Sequence, residues 1–192
     1  MGTLCPFFVL WVRTAPNFLF LRFLMHKKAK FLAHGAMIAA LYVALTYLQN
    51  FIFPNSTSFA IQFRVAEALC VLALFTRAAI PGLTLGCLLF NISYAGALPL
   101  DFLVGTLATL LATASMRLIR HVRIRRYPLP ALLMPALFNG LLVGWELAHY
   151  IGGGFWLNAA YVAIGEAAVL LTLGSVLHYA IRVRHLDYRL FS

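Results

Sequence analysis

Leu32 to Phe51 reads LAHGAMIAALYVALTYLQNF, twenty residues without one Asp, Glu, Lys or Arg. At about 1.5 Å per residue, such a helix reaches roughly 30 Å, the thickness of the hydrocarbon core of a bilayer. Lys27, Lys28 and Lys30 stand immediately before it, where an aqueous edge is expected. The stretch is therefore read as a membrane-crossing helix, and it sets the ruler for the rest of the chain.

Measured against that ruler, the sequence offers five more apolar segments, at 60–77, 80–95, 101–119, 129–150 and 156–181. They are separated by turn material: Pro54-Asn55-Ser56, Ala78-Ala79-Ile80-Pro81, Gly96-Ala97-Leu98-Pro99 and Gly152-Gly153-Gly154. The fold class expected is an all-α integral membrane protein, a bundle of six transmembrane helices. Composition points the same way. Of 192 residues, 63% are hydrophobic and 10% charged, with a mean hydropathy of +0.90, whereas soluble domains are about half apolar and a quarter charged. A chain of this length has too little polar surface to cover such a core, so lipid is the solvent of its exterior. Cys5, Cys70 and Cys87 lie in apolar stretches without metal-ligand spacing and read as small core residues.

The net charge of +10 is a matter of topology rather than of nucleic-acid binding. Twelve of the fifteen Lys and Arg fall on one side of the six segments: Lys27, Lys28, Lys30, Arg77, Arg117, Arg120, Arg123, Arg125, Arg126, Arg182, Arg184 and Arg189. The other side carries Arg64, and Arg13 and Arg22 lie in the first 24 residues. Positive charge marks the cytoplasmic side, which puts both termini inside. The chain thus divides into a leader at 1–26, a membrane domain at 27–182 and a cytoplasmic tail at 183–192. The leader is apolar but broken by Arg13, Pro16, Asn17 and Arg22, which disfavours a seventh span. It also lacks the charge order and cleavage site of a signal peptide. Met25, followed by His26-Lys27-Lys28, is an alternative start of translation, which the N-terminal mass of the native protein tests.

Four of the five acidic residues, Glu67, Asp101, Glu146 and Glu166, fall in or at the ends of membrane segments. A carboxylate there needs a partner, water or a purpose. By depth, Arg64, Glu67, Asn91, Asp101, Asn139, Glu146, Asn158 and Glu166 converge on one chamber that faces outward, with Glu166 deepest at roughly 15 Å below the start of its helix. Helical phase agrees: Asn139, Val143, Glu146 and Tyr150 share one face, and Asn158, Val162 and Glu166 another. The bland alternative is that Arg64 and Glu67 neutralise each other at i and i+3 and the Asn side chains join helices. That explains single residues better than it explains all of them.

Ala36, Ala40 and Ala44 form a smooth strip along the first span. Such a strip serves either close packing within the bundle or docking of a partner membrane protein. The sequence carries no phosphate-cradling loop, metal-binding cluster or nucleophile elbow, so no cofactor, no metal and no catalytic residue is expected. The six His are scattered and read as interfacial. The two halves do not match as the inverted repeats of a self-sufficient transporter do.

The run Ile61-Gln62-Phe63-Arg64-Val65-Ala66-Glu67-Ala68-Leu69, with Ala79-Ile80-Pro81-Gly82-Leu83 and Gly86-Cys87-Leu88-Leu89-Phe90-Asn91, resembles the substrate-binding S component of energy-coupling factor (ECF) transporters of the queuosine-precursor (QueT) type. Asp101 to Gly105, Asn139-Gly140-Leu141, and Phe155-Trp156-Leu157-Asn158 through Gly165-Glu166-Ala167 fit the same pattern, in order across 27–182. The resemblance implies a multi-pass protein of a prokaryotic cell membrane that is not an enzyme. It would capture a micronutrient outside and deliver it with a transmembrane scaffold and two ATPase subunits, and Ala36, Ala40 and Ala44 resemble the docking motif for that scaffold.

A 7-deazaguanine cargo has an edge of N–H donors, a carbonyl and a flat face. Glu146 or Glu166 is expected to take the donors, and Arg64, Asn91, Asn139 or Asn158 the carbonyl. Phe63, Trp145, Tyr150 or Trp156 is expected at the flat face, and Glu67 or Asp101 at a cationic aminomethyl group, with Gln62 beside them in the same motif. Competing expectations are cobalamin or another vitamin as cargo, a membrane-embedded enzyme using Glu67, Glu146 and Glu166, and a structural subunit that binds nothing.

Overall fold

The computed structural model of the protein describes residues 6–54, 63–94, 98–125 and 127–184, with side chains from Lys27 onward. Among the described residues every regular element is helical: α1 (Pro6–Ile52), a 3-10 helix (Val65–Leu74), α2 (Ala79–Ser93), α3 (Asp101–Leu118), α4 (Leu129–Leu132), α5 (Met134–Tyr150), α6 (Phe155–Val169), a π-helical turn (Leu170–Gly174) and α7 (Ser175–Val183). Among the described residues four segments are long and apolar enough to cross a membrane: Lys27–Ile52, Asp101–Leu118, Leu129–Tyr150 and Phe155–Val183. The remaining two apolar helices, Val65–Leu74 and Ala79–Ser93, are shorter.

The exterior is apolar on each long segment. Leu32, Phe51, Leu111, Leu141, Ile164 and Val176 are exposed large side chains, as expected where the surroundings are hydrocarbon. Lys27, Lys28 and Lys30 are exposed at the head of the first such segment. The helix itself continues back to Pro6, so α1 as a whole is 47 residues, about 70 Å long.

In the segment expected as a second α-helical span at 60–77, the structure has a 3-10 helix over Val65–Leu74, while 60–62 lie outside the described residues. Ten residues at about 2.0 Å each give roughly 20 Å. Its ends are held by side chains from elsewhere. At the start, Gln49 of α1 accepts from Val65 N at 2.8 Å and donates to the Phe63 carbonyl. At the end, Arg117 of α3 donates to the carbonyls of Ala73 and Leu74 at 3.3 and 3.1 Å. With three residues per turn, Arg64, Glu67, Cys70 and Ala73 stack on one face, and all four are buried.

Helix pairs approach through small residues. α1 packs on α2, α5 on α6, and α3 joins α2 to α5. A Cβ on Gly82 would lie 2.6 Å from the Gly35 carbonyl, and one on Gly144 would lie 2.6 Å from the Ala159 Cα. These contacts leave backbone against backbone, the packing that membrane helices use. The face of α1 used against α2 is Gly35, Ile38, Ala39 and Tyr42. Ala36, Ala40 and Ala44 point elsewhere and are exposed, so internal packing does not account for the alanine strip.

Two breaks follow local chemistry. Pro135 has no N–H to continue the helix, and α4 and α5 are separated at Leu133. Between α5 and α6, Gly152 and Gly153 take φ of +90° and +84°, conformations open to glycine at little cost. Asn158 donates to the Gly152 carbonyl at 3.0 Å and fixes this turn.

Candidate functional site

The 3-10 helix, α2, α3, α5 and α6 all contribute buried polar side chains to the bundle. Arg64, at the head of the 3-10 helix, meets Asp101, at the start of α3, with 3.8 Å between Nη2 and Oδ1. Asp101 also accepts from Leu98 N at 3.1 Å, and its own carbonyl accepts from Asn91 Nδ2 of α2 at 2.9 Å. Gly105 lies one turn into α3. A Cβ there would stand 2.9 Å from Asn91 Nδ2 and 3.6 Å from Arg64 Nη1, so the bare backbone makes room for both.

Glu67 is fully buried and satisfied. Tyr42 of α1 donates its hydroxyl to Oε1 at 2.7 Å, and the Cys70 thiol donates to Oε2 at 3.0 Å. Glu146 on α5 and Glu166 on α6 are equally buried, at 0% exposure. Among the described residues neither has a hydrogen-bond partner of good geometry on either oxygen, and the same holds for Asn139 Oδ1, Asn139 Nδ2 and Arg64 Nε. Glu146 lies within electrostatic reach of Asp101 and Arg64, and Glu166 within reach of Glu67, Arg64 and Asn139. The unpartnered atoms therefore belong to one neighbourhood.

Among the described residues that neighbourhood holds four carboxyl groups and one guanidinium, that of Arg64, paired with Asp101, which makes it rich in acceptors and short of donors. Leaving two buried carboxyl groups without donors is costly. A molecule carrying N–H groups, or a cationic group, is what such a set is able to bind. Among the described residues no group of three or more His, Cys, Asp or Glu is placed to hold a metal ion.

Of the residues singled out from sequence, Arg64, Glu67, Asn91, Asp101, Asn139, Glu146, Asn158 and Glu166 are all buried. Asn158 is occupied with the Gly152 turn. Phe63, Trp145, Tyr150 and Trp156 are exposed, Trp156 at 76%. Trp145 stacks on His149 with ring centroids 6.0 Å apart, and Trp156 meets Phe155 edge-on at 4.8 Å. Gln62 lies outside the described residues. Tyr42 and Gln49, which the sequence reading passed over, hold Glu67 and the head of the 3-10 helix. Their signal is a polar row on α1, Tyr42, Thr46, Gln49 and Asn50, all buried within an apolar span.

Compared with known proteins, residues 32–183 match the family model described as QueT transporter. No curated protein and no solved structure matches the chain.

Proposed function

Because the chain belongs to the QueT transporter family, we propose that it is the S component of an energy-coupling factor transporter and captures a queuosine precursor, a 7-deazaguanine base, from outside the cell. The observation that carries the cargo reading is the set of buried polar atoms without partners on Glu146, Glu166, Asn139 and Arg64. The base's N–H edge would pair with Glu146 or Glu166, and its carbonyl would take a hydrogen bond from Arg64 or Asn139. A cationic aminomethyl arm, where present, would find Asp101 or Glu67. All of these partners are side chains that a planar, donor-rich heterocycle satisfies and a purely apolar one does not.

In this reading the six apolar segments all cross the membrane, both termini are cytoplasmic, and the acidic cluster opens outward. The exposed strip Ala36, Ala40 and Ala44 docks on the transmembrane scaffold, whose two ATPases drive release of cargo inward. The protein itself carries out no bond chemistry. The setting is the cell membrane of a prokaryote.

Mass spectrometry of small molecules released from detergent-purified protein tests the cargo directly, since a tightly held ligand survives purification. Recovery of a 7-deazaguanine is expected. Recovery of a corrinoid instead would overturn the cargo and keep the transporter.

A further inference from the structure

The bundle holds a second polar site, remote in chemistry from the acidic cluster. A cavity of about 240 Å³ is lined by Arg120, Arg123, Arg182, His121, His178 and Phe75, among others. Its floor is the end of the 3-10 helix, where free carbonyls would normally repel an anion. Here Arg117 covers the carbonyls of Ala73 and Leu74. Arg182 is placed over the Phe75 ring at 5.8 Å, and His178 is held between Phe75 and Tyr127 at centroid distances of 5.6 and 5.3 Å. Arg120 Nε donates to His121 Nε2 at 3.1 Å.

Nothing acidic among the described residues answers this charge. Of the five acidic residues, Glu67, Asp101, Glu146 and Glu166 lie in the cluster already described, and Asp187 is outside the described residues. Planar guanidinium groups converging on a small cavity match the oxygens of a phosphate. The volume is below the roughly 300–1,000 Å³ of pockets that enclose a drug-sized molecule, which suits a headgroup and not its chains. Within two positions of the lining residues in sequence, Leu118, Val122, Tyr179 and Val183 are exposed at 80%, 52%, 69% and 56%. A free anion has no use for these side chains, whereas acyl chains do.

We propose that this cavity binds the phosphate of an anionic phospholipid, with the acyl chains lying on the apolar surface beside it. The site rests on the membrane-spanning reading of the chain but not on the identity of the cargo. Basic pockets between membrane helices at the positively charged end are suited to such headgroups.

The test uses the full chain in detergent, titrated with phosphatidylglycerol or with phosphatidylcholine of the same acyl chains, and read by native mass spectrometry. Phosphatidylglycerol is expected to bind in preference. Arg123→Gln and Arg182→Gln are each expected to weaken it by about fivefold, while Lys30→Gln, a charge removed at the same end but outside the cavity, leaves it unchanged. Arg123 is exposed and lies outside any helix, so its loss reports binding without risk to folding. Equal retention of both lipids, or an equal loss with Lys30→Gln, would overturn the site. Displacement of the lipid by inorganic phosphate at matching concentration would overturn the lipid as its occupant and assign the cavity to a free anion.

Discussion

Glu67 and Glu166 are both fully buried, yet one is finished and the other is not. Glu67 has the Tyr42 hydroxyl and the Cys70 thiol; Glu166 has no donor in good geometry among the described residues. Their substitutions therefore report different things. Tyr42→Phe removes the shorter of two donors from a buried carboxyl group, which costs about 1–3 kcal/mol, and the unfolding midpoint in detergent is expected to fall. Glu146→Gln and Glu166→Gln each replace one acceptor oxygen that no described residue meets in good geometry, so folding is little affected. Ligand affinity should drop by about tenfold or more at whichever of them meets the N–H edge, the worth of one hydrogen bond to a charged group. Unchanged affinity in both variants sinks the carboxylate reading. These carboxyl groups were legible in the sequence because a charge in an apolar run is costly wherever it points. Tyr42 and Gln49 were not, since a Tyr or Gln in a span that reads as apolar declares itself only when its partner, 25 or 16 residues away, is known.

The same distinction between cost and partner operates in the elements. Four of the six apolar segments are, among the described residues, long and apolar enough to cross a membrane, and α3, α4 and α6 begin within one residue of where turn chemistry placed them. The 3-10 winding of Val65–Leu74 was not readable, because a short apolar run has the same composition in either helix. What stabilises it is Gln49 at one end and Arg117 at the other, both supplied by tertiary structure. Helix contacts show a related limit: a glycine in a span signals close packing but not against which helix. Gly144→Ala puts a Cβ 2.6 Å from the Ala159 Cα, where only separation of α5 from α6 relieves the overlap. A destabilisation of about 1–3 kcal/mol is expected, read as a lower unfolding midpoint. Gly154→Ala is the control: its φ of −78° suits any residue, and nothing lies within 4 Å of its Cβ. As the N-cap of α6 it is expected to cost at most about 1 kcal/mol, the worth of a cap, and no separation of helices. Gly105→Ala is of a third kind, because its Cβ would meet the Asn91 amide at 2.9 Å. Weaker ligand binding with a smaller loss of stability is expected there.

At the scale of the molecule, the two faces of α1 differ in what they meet. Gly35, Ile38, Ala39 and Tyr42 face inward, pack on α2 and reach Glu67. Ala36, Ala40 and Ala44 face away from the bundle and remain exposed. Small side chains confer no hydrophobic advantage against lipid, so an exposed strip of them is of use only where another backbone comes close. Replacing Ala40 with Trp therefore discriminates. A strip that merely faces lipid accepts a bulky apolar side chain, and both cargo retention and co-purification with the scaffold survive. A docking strip does not: cargo binding to the isolated protein is expected to be unchanged, because the inward face of α1 is untouched, while recovery of the scaffold and ATPase subunits with the tagged protein is lost. Loss of both readouts would place Ala40 in the bundle's own packing and remove the docking role; survival of both would remove it as well.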